Sequence, residues 1–171
     1  MATPAAPRPS GWRPLNSTPK LAVLAAMKWW IPPTALALAL SPLTGVYPVR
    51  VSGRSMEPTL QAGELRWALR RWCAGEPRRG QVWALEGPQG PAIKRVVGLP
   101  GEELVQQKSE LWLQNRPLEE PYVTHPERGE DGPWQSGQGY FLLGDRRSES
   151  QDSRSWGPLP RSAFRGRILG L

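Results

Sequence analysis

A chain of 171 residues holds one globular domain of the common size, about 100 to 150 residues, plus an appendage. The formal net charge of +7 asks for an anionic neighbour, either nucleic acid or lipid headgroups, but no helix-turn-helix, zinc-finger or RNA-recognition signature accompanies it. The single Cys73 excludes an intramolecular disulfide, and with the single His125 it cannot complete a zinc site without carboxylates, so neither metal nor other cofactor is expected.

Residues 1–28 hold Pro4, Pro7, Pro9, Pro14 and Pro19 with four basic residues and no acid, a composition that builds no core and reads as a flexible basic tail. From Trp29 to Val49 no residue is charged, and the run is long enough for a bilayer, which needs roughly 20 apolar residues. Pro32, Pro33 and Pro42 interrupt it, so the workable span is a kinked helix, assigned to residues 29–47 and beginning as early as Leu21, with Lys28 reaching towards the headgroups. The basic tail then places the N-terminus in the cytoplasm and the following domain, residues 48–171, on the outer face of the cell membrane, as a single-pass protein. Two other readings stay open: a cleaved export signal, since ALALALS offers small residues at a cut site, and a hydrophobic first strand.

Beyond Val49 the chain reads as β structure punctuated by glycine and proline. The expected strands are Val49–Val51, Glu64–Ala68, Gln81–Leu85, Ala92–Val97, Glu103–Gln107, Glu110–Gln114, Gly139–Leu143 and Arg165–Leu169. A small accessory lobe is expected over residues 106–138, opening with a hairpin whose turn is Lys108 and Ser109 and continuing through a polar stretch around His125 too rich in turn formers for a core. One short helix is expected near Arg161 to Phe164. Cys73 is expected to be buried, and Trp67, Trp72 and Trp83 to divide between core and interface.

The chemistry centres on Ser55 in VSGRSMEPTL and Lys94 in AIKRVVGLPGE. A serine hydroxyl needs a base, and among 18 arginines and four lysines a lysine flanked by Ile93, Val96, Val97 and Leu99 is the better partner. Burial disfavours the ammonium form, and tuning from about 10.4 to roughly 7 to 8 leaves a useful fraction of neutral amine. A guanidinium does not titrate in this range. Taken singly, Lys94 also fits a solvent-facing lysine on an edge strand, and Ser55 a turn serine.

Three stretches in order change the balance. Ser55 to Leu60 gives Ser-Met-x-Pro-Thr-Leu, Lys94 to Gly101 gives Lys-Arg-Val-x-Gly-Leu-Pro-Gly, and Gly144 to Gly157 gives Gly-Asp-x-Arg…Ser-x-Asp-Ser-Arg-x-Trp-Gly. Over roughly residues 46 to 170 the chain resembles the bacterial type I signal peptidases, membrane-bound serine-lysine peptidases, in their short Gram-positive-like form. The resemblance implies a mainly β fold, an antiparallel β catalytic domain with a small β-hairpin lobe behind one transmembrane helix. It also implies removal of signal peptides from exported precursors after an Ala-x-Ala pattern, with signal peptides and membrane lipid as partners and no nucleic acid.

By the same resemblance Ser55 is the nucleophile, Lys94 the general base, and Ser150 the hydroxyl that orients the lysine amine. Asp152 and Arg154 brace the neighbouring loop, and Asp145 is placed to pair with Arg95. Val51, Gly53, Met56, Leu60 and Ile93 match pocket positions. The backbone N–H of Ser55 is the constant oxyanion donor; the serine that many Gram-negative members carry two positions earlier is Gly53 here. Other departures are Gln81 in place of an aspartate, Arg54 before the nucleophile, and Arg146 for the usual asparagine, a cation expected to depress Lys94 further. Two other classes remain: a catalytically inactive membrane-anchored peptide-binding relative, and a serine-lysine self-cleaving regulator, for which the chain lacks a DNA-binding module.

Overall fold

The computed structural model describes residues 45–107, 110–123 and 132–171. Within them the β-branched and alternating runs become β1 (Val46–Arg50), β2 (Leu65–Arg70), β3 (Val82–Gly87), β4 (Gly90–Gly98), β5 (Glu103–Gln107), β6 (Glu110–Leu113), β7 (Arg116–Pro117), β8 (Gly132–Gln135), β9 (Phe141–Leu143) and β10 (Phe164–Ile168). Two short helices join them, α1 (Arg71–Ala74) and α2 (Ser153–Trp156). The strands form a six-stranded sheet in the order β1-β2-β10-β3-β4-β9 and a four-stranded sheet in the order β7-β6-β5-β8. Each paired neighbour is antiparallel. The mainly β, antiparallel expectation therefore holds.

Side-chain alternation sorts the core. Along β3, Trp83 and Leu85 join Val96, Leu142 and Phe164 in one cluster, while Val82 and Ala84 belong with Val51, Met56, Leu60 and Ile168 in another. Trp83 meets Phe164 edge to face with ring centroids 5.3 Å apart, a contact worth about 0.5–1.5 kcal/mol beyond its buried area. Val97 turns instead into a third cluster with Leu104, Leu111, Phe141 and Leu143, which joins the two sheets. Consecutive valines Val96 and Val97 feed different clusters because successive strand side chains point to opposite faces, just before the β4–β9 register shifts. At Gly98 a Cβ would come within 2.6 Å of Leu104 Cδ1 and 2.9 Å of Phe141 Cβ, so only glycine fits where the chain passes from one sheet to the other.

Several expectations need correction. The transmembrane segment at residues 29–47 lies outside the described residues except for its end, and there Val46 and Tyr47 are strand β1 rather than helix. Among the described residues no helix is long and apolar enough to cross a membrane. The hairpin of β5 and β6 pairs Gln107 with Glu110, its turn residues Lys108 and Ser109 falling outside the description, as does His125. The stretch read as irregular supplies β8, whose Trp134 tilts over Phe141 at 5.6 Å and so reaches the core after all. Near Arg161 the helix is a three-residue 3-10 turn, Arg161–Ala163, with Phe164 already in β10. Cys73 is exposed, because α1 buries none of its residues. Of the tryptophans, Trp83 is fully buried, as expected of a core residue, and Trp67 and Trp72 are exposed.

Candidate active site

Ser55 sits in the loop that follows β1. Val51 and Met56, both buried, pin this loop to the core on either side of the serine. The Val51 N–H donates to Glu64 O at 2.8 Å and the Gly63 N–H to Val51 O at 2.8 Å, which closes the loop's base. Gly53 has φ +113°, a region that side chains rarely enter, so the backbone itself selects glycine where a serine donor would otherwise stand.

Lys94 lies midway along β4, opposite Trp83 of β3, and is only 4% exposed. Its Nζ is 2.9 Å from Ser55 Oγ, the reach required of a base that takes a hydroxyl proton. Burial pushes the ammonium below its ordinary value; Asp152 and Asp145 oppose that, and Arg154 reinforces it. The cation acting on Lys94 is thus Arg154, not the expected Arg146. Arg146 is engaged elsewhere, with Glu57 at 2.6 Å and Glu149 at 2.9 Å.

Behind the pair, Arg95 and Asp145 form a buried two-pronged bridge, Nε to Oδ1 at 2.8 Å and Nη2 to Oδ2 at 2.6 Å. Thr59 donates to Asp145 Oδ2 at 2.5 Å, Arg95 Nη1 donates to Gly80 O at 2.6 Å, and the Tyr122 ring lies 4.0 Å from the guanidinium. Asp152, wholly buried, caps α2, accepts the Gly144 N–H at 3.1 Å, and holds Arg154 at 2.8 and 2.9 Å. Arg154 in turn donates to the carbonyls of Arg147 and Ser150. These bonds lash residues 144–154 into one unit.

Ser150 differs from its expected placement. Among the described residues its hydroxyl is buried without a hydrogen-bond partner, and Lys94 Nζ bonds to Ser55. Ser150 packs on Gly144, where an added Cβ would lie 2.2 Å from Ser150 Oγ and 2.6 Å from the carbonyl oxygen of Ser55. Because that last atom is backbone, Gly144→Ala is expected to cost about 1–3 kcal/mol by overpacking. It should also displace the serine, so both the unfolding midpoint and kcat/KM should fall; an unchanged kcat/KM would contradict this packing.

Ser55 and Lys94 open onto a cleft of about 440 Å³ lined by Val51, Gly53, Met56 and Ile93, and also by Tyr47, Val49, Ala84, Leu85 and Ala92. Leu60 is not in its wall: fully buried, it packs behind Val51 and Met56. Charged groups, Arg50, Glu86 and Arg165, stand among the lining. Sequence reasoning missed Thr59, Tyr122 and the β3 wall. Thr59 lay within the quoted Ser55–Leu60 box, whereas the β3 residues enter only through pairing with β4, and Tyr122, in a turn, only through its ring against Arg95.

A hydroxyl held against a buried amine, beside a largely apolar cleft, is the arrangement of the serine hydrolases that use an amine base. Residues 24–170 match the family model described as signal peptidase, peptidase S26. The chain belongs to that family and is a serine peptidase. A signal peptidase I of Leptolyngbya laminosa is 32% identical over 149 residues, covering 79% of this chain and 73% of the relative. One of Bacillus licheniformis is 30% identical over 143 residues, 74% of this chain and 77% of the relative. The crystal structure of a signal peptidase I from Enterococcus faecalis superimposes with a TM-score of 0.49 at 26% identity, covering 57% of this chain and 99% of that one.

Proposed function

We propose that this chain removes the N-terminal signal peptides of exported precursor proteins, cutting after an Ala-x-Ala pattern with Ser55 as nucleophile and neutral Lys94 as general base. The observation that carries the reading is the 2.9 Å approach of Lys94 Nζ to Ser55 Oγ beside the apolar cleft. Lys94 takes the hydroxyl proton as Ser55 attacks the scissile carbonyl, and the resulting ammonium gives that proton to the departing amine. Water then attacks the acyl-enzyme with Lys94 again as base. The backbone N–H of Ser55 stabilises the oxyanion; Gly53 adds no side-chain donor, so a second donor is backbone or water. Asp152, Arg154, Asp145 and Arg95 support the pair, and Ser150 packs at Gly144 close to the Ser55 backbone.

Specificity follows from wall chemistry. Val51, Met56, Ile93 and Ala84 present apolar surface suited to small side chains, and β4 before Lys94, unpaired on its β9 side among the described residues, offers backbone groups to an extended peptide added as a strand. The reading places the catalytic domain on the outer face of the cell membrane, where scissile bonds of exported precursors emerge, anchored by residues 29–47 with the N-terminus in the cytoplasm. Exposed Leu65, Trp67 and Trp72, on β2 and α1 beside β1, suit contact with lipid. No metal or other cofactor enters the mechanism.

The test is cleavage of a precursor bearing an Ala-x-Ala site by detergent-solubilised full-length protein, beside Ser55→Ala and beside a precursor whose final alanine is phenylalanine. Wild type should cut only the alanine precursor and Ser55→Ala should cut neither. A well-folded wild type that cuts nothing would sink the reading. Lys108→Ala should process the precursor nearly as wild type does; a large loss would show that the base is not assigned correctly.

A further inference from the structure

The two arginines that depart from the family pattern, Arg54 and Arg146, belong to one device. The Arg54 carbonyl accepts the Glu57 N–H at 3.0 Å, which closes a turn over the nucleophile. That carbonyl shares a trans peptide with the Ser55 N–H, so fixing one aims the other in the opposite direction. Arg54 Nε closes the same turn through its side chain, 3.2 and 3.3 Å from the two Glu57 oxygens. From the facing loop Arg146 Nη1 reaches the same carboxylate at 2.6 Å, while its Nη2 holds Glu149 at 2.9 Å and Glu149 stands 3.9 Å from Arg54 Nη1. Charges therefore alternate around a ring of four side chains. Inside the ring the Arg146 backbone N–H donates to Ser55 O at 3.0 Å, so both peptide groups flanking the nucleophile are tied.

We propose that Arg146 is a positioning residue: through Glu57 it clamps the Arg54–Glu57 turn so that the Ser55 N–H stays aimed at the oxyanion. The proposal rests on the assignment of Ser55 and Lys94 above. A planar guanidinium holds two carboxylates at once in fixed geometry, which asparagine, with no charge and a shorter reach, does not. Because the ring is partly open to solvent, with Arg54 57% and Arg146 30% exposed, salt should loosen it, whereas the buried Arg95–Asp145 bridge should hold.

The experiment measures kcat and KM on the Ala-x-Ala precursor for full-length wild type, Arg146→Asn and Arg146→Lys, at low salt and at about 1 M salt, where the screening length falls to about 3 Å. Arg146→Asn should lower kcat about three- to tenfold, the scale of one or two partly exposed ion pairs, with KM and the unfolding midpoint little changed. Arg146→Lys should recover part of the loss. High salt should bring wild-type kcat towards the Arg146→Asn value and change that variant much less, since only the Arg54 pairs are left in it to screen. An unchanged kcat, a loss confined to KM, or a loss matched by a lower unfolding midpoint would overturn the proposal. Ser55→Ala is run alongside: a dead Ser55→Ala with a normal Arg146→Asn removes the clamp alone, whereas an active Ser55→Ala removes the nucleophile assignment and the clamp with it.

Discussion

Replacing Lys94 with alanine should lower kcat/KM by roughly 10³-fold or more, towards the upper end of what a positioned general base supplies. Lys94→Arg should do equally badly despite keeping length and charge, because a guanidinium stays protonated and cannot accept the Ser55 proton. The pH dependence has a definite sign. On the proposed mechanism activity needs the neutral amine, so kcat/KM should rise with pH through the Lys94 ionisation, and burial sets that rise below the ordinary lysine value. Arg154 is the cation that pushes Lys94 further down, and it also offsets Asp152. Arg154→Gln removes the cation and leaves Asp152 unopposed, so the acid limb should move to higher pH. A limb that stays put or moves to lower pH would refute this electrostatic account, and a Lys94→Ala protein of wild-type activity would refute the base itself.

The second large effect is on stability. Asp145→Ala leaves the Arg95 guanidinium buried, 7% exposed, with no carboxylate and, among the described residues, only Gly80 O and Thr59 Oγ1 as hydrogen-bond acceptors beside the Tyr122 ring. Breaking one side of such a pair costs about 3–5 kcal/mol, because the remaining charge keeps its desolvation penalty. In a domain of this size that should lower the unfolding midpoint by about 10 °C or more. Replacing both partners with apolar residues of similar volume should recover part of the loss, since it removes the stranded charge as well. Thermal unfolding of the single and double variants checks both statements; a double variant less stable than Asp145→Ala would mean that the bridge holds the fold by more than its charges.

The strands that carry the site were legible because their cues are local. AIKRVV between Gly90 and Pro100 announces β4, and the long GYFLL run announces β9. The two-residue β7 and the strand β8 are not local in the same way. Arg116–Pro117 and Pro133 read as turn chemistry, and they become strand only because β6 and β5 present edges to pair with. α1 is four residues long, too short for a helical period to register. At the site, the Arg95–Asp145 contact matched its expectation, while Leu60 and Arg146 did not take the places assigned to them. Leu60 is apolar like its neighbours in the box, and residue type cannot separate a cleft wall from the layer behind it. Arg146 is cationic, but proximity along the chain says nothing about which carboxylates claim it.

Among the described residues Lys94 is the one lysine, and its amine is held towards the uncharged form by its surroundings. Amines react with electrophiles through the nitrogen lone pair, which an ammonium lacks. Near neutrality a small uncharged reagent such as isocyanic acid, which adds across an N–H to give a urea with nothing released, should therefore modify this nitrogen ahead of ordinary surface lysines. Occupying the cleft with a peptide should slow the modification, so the same burial that suits Lys94 to its proposed proton transfer also marks it for selective covalent tagging.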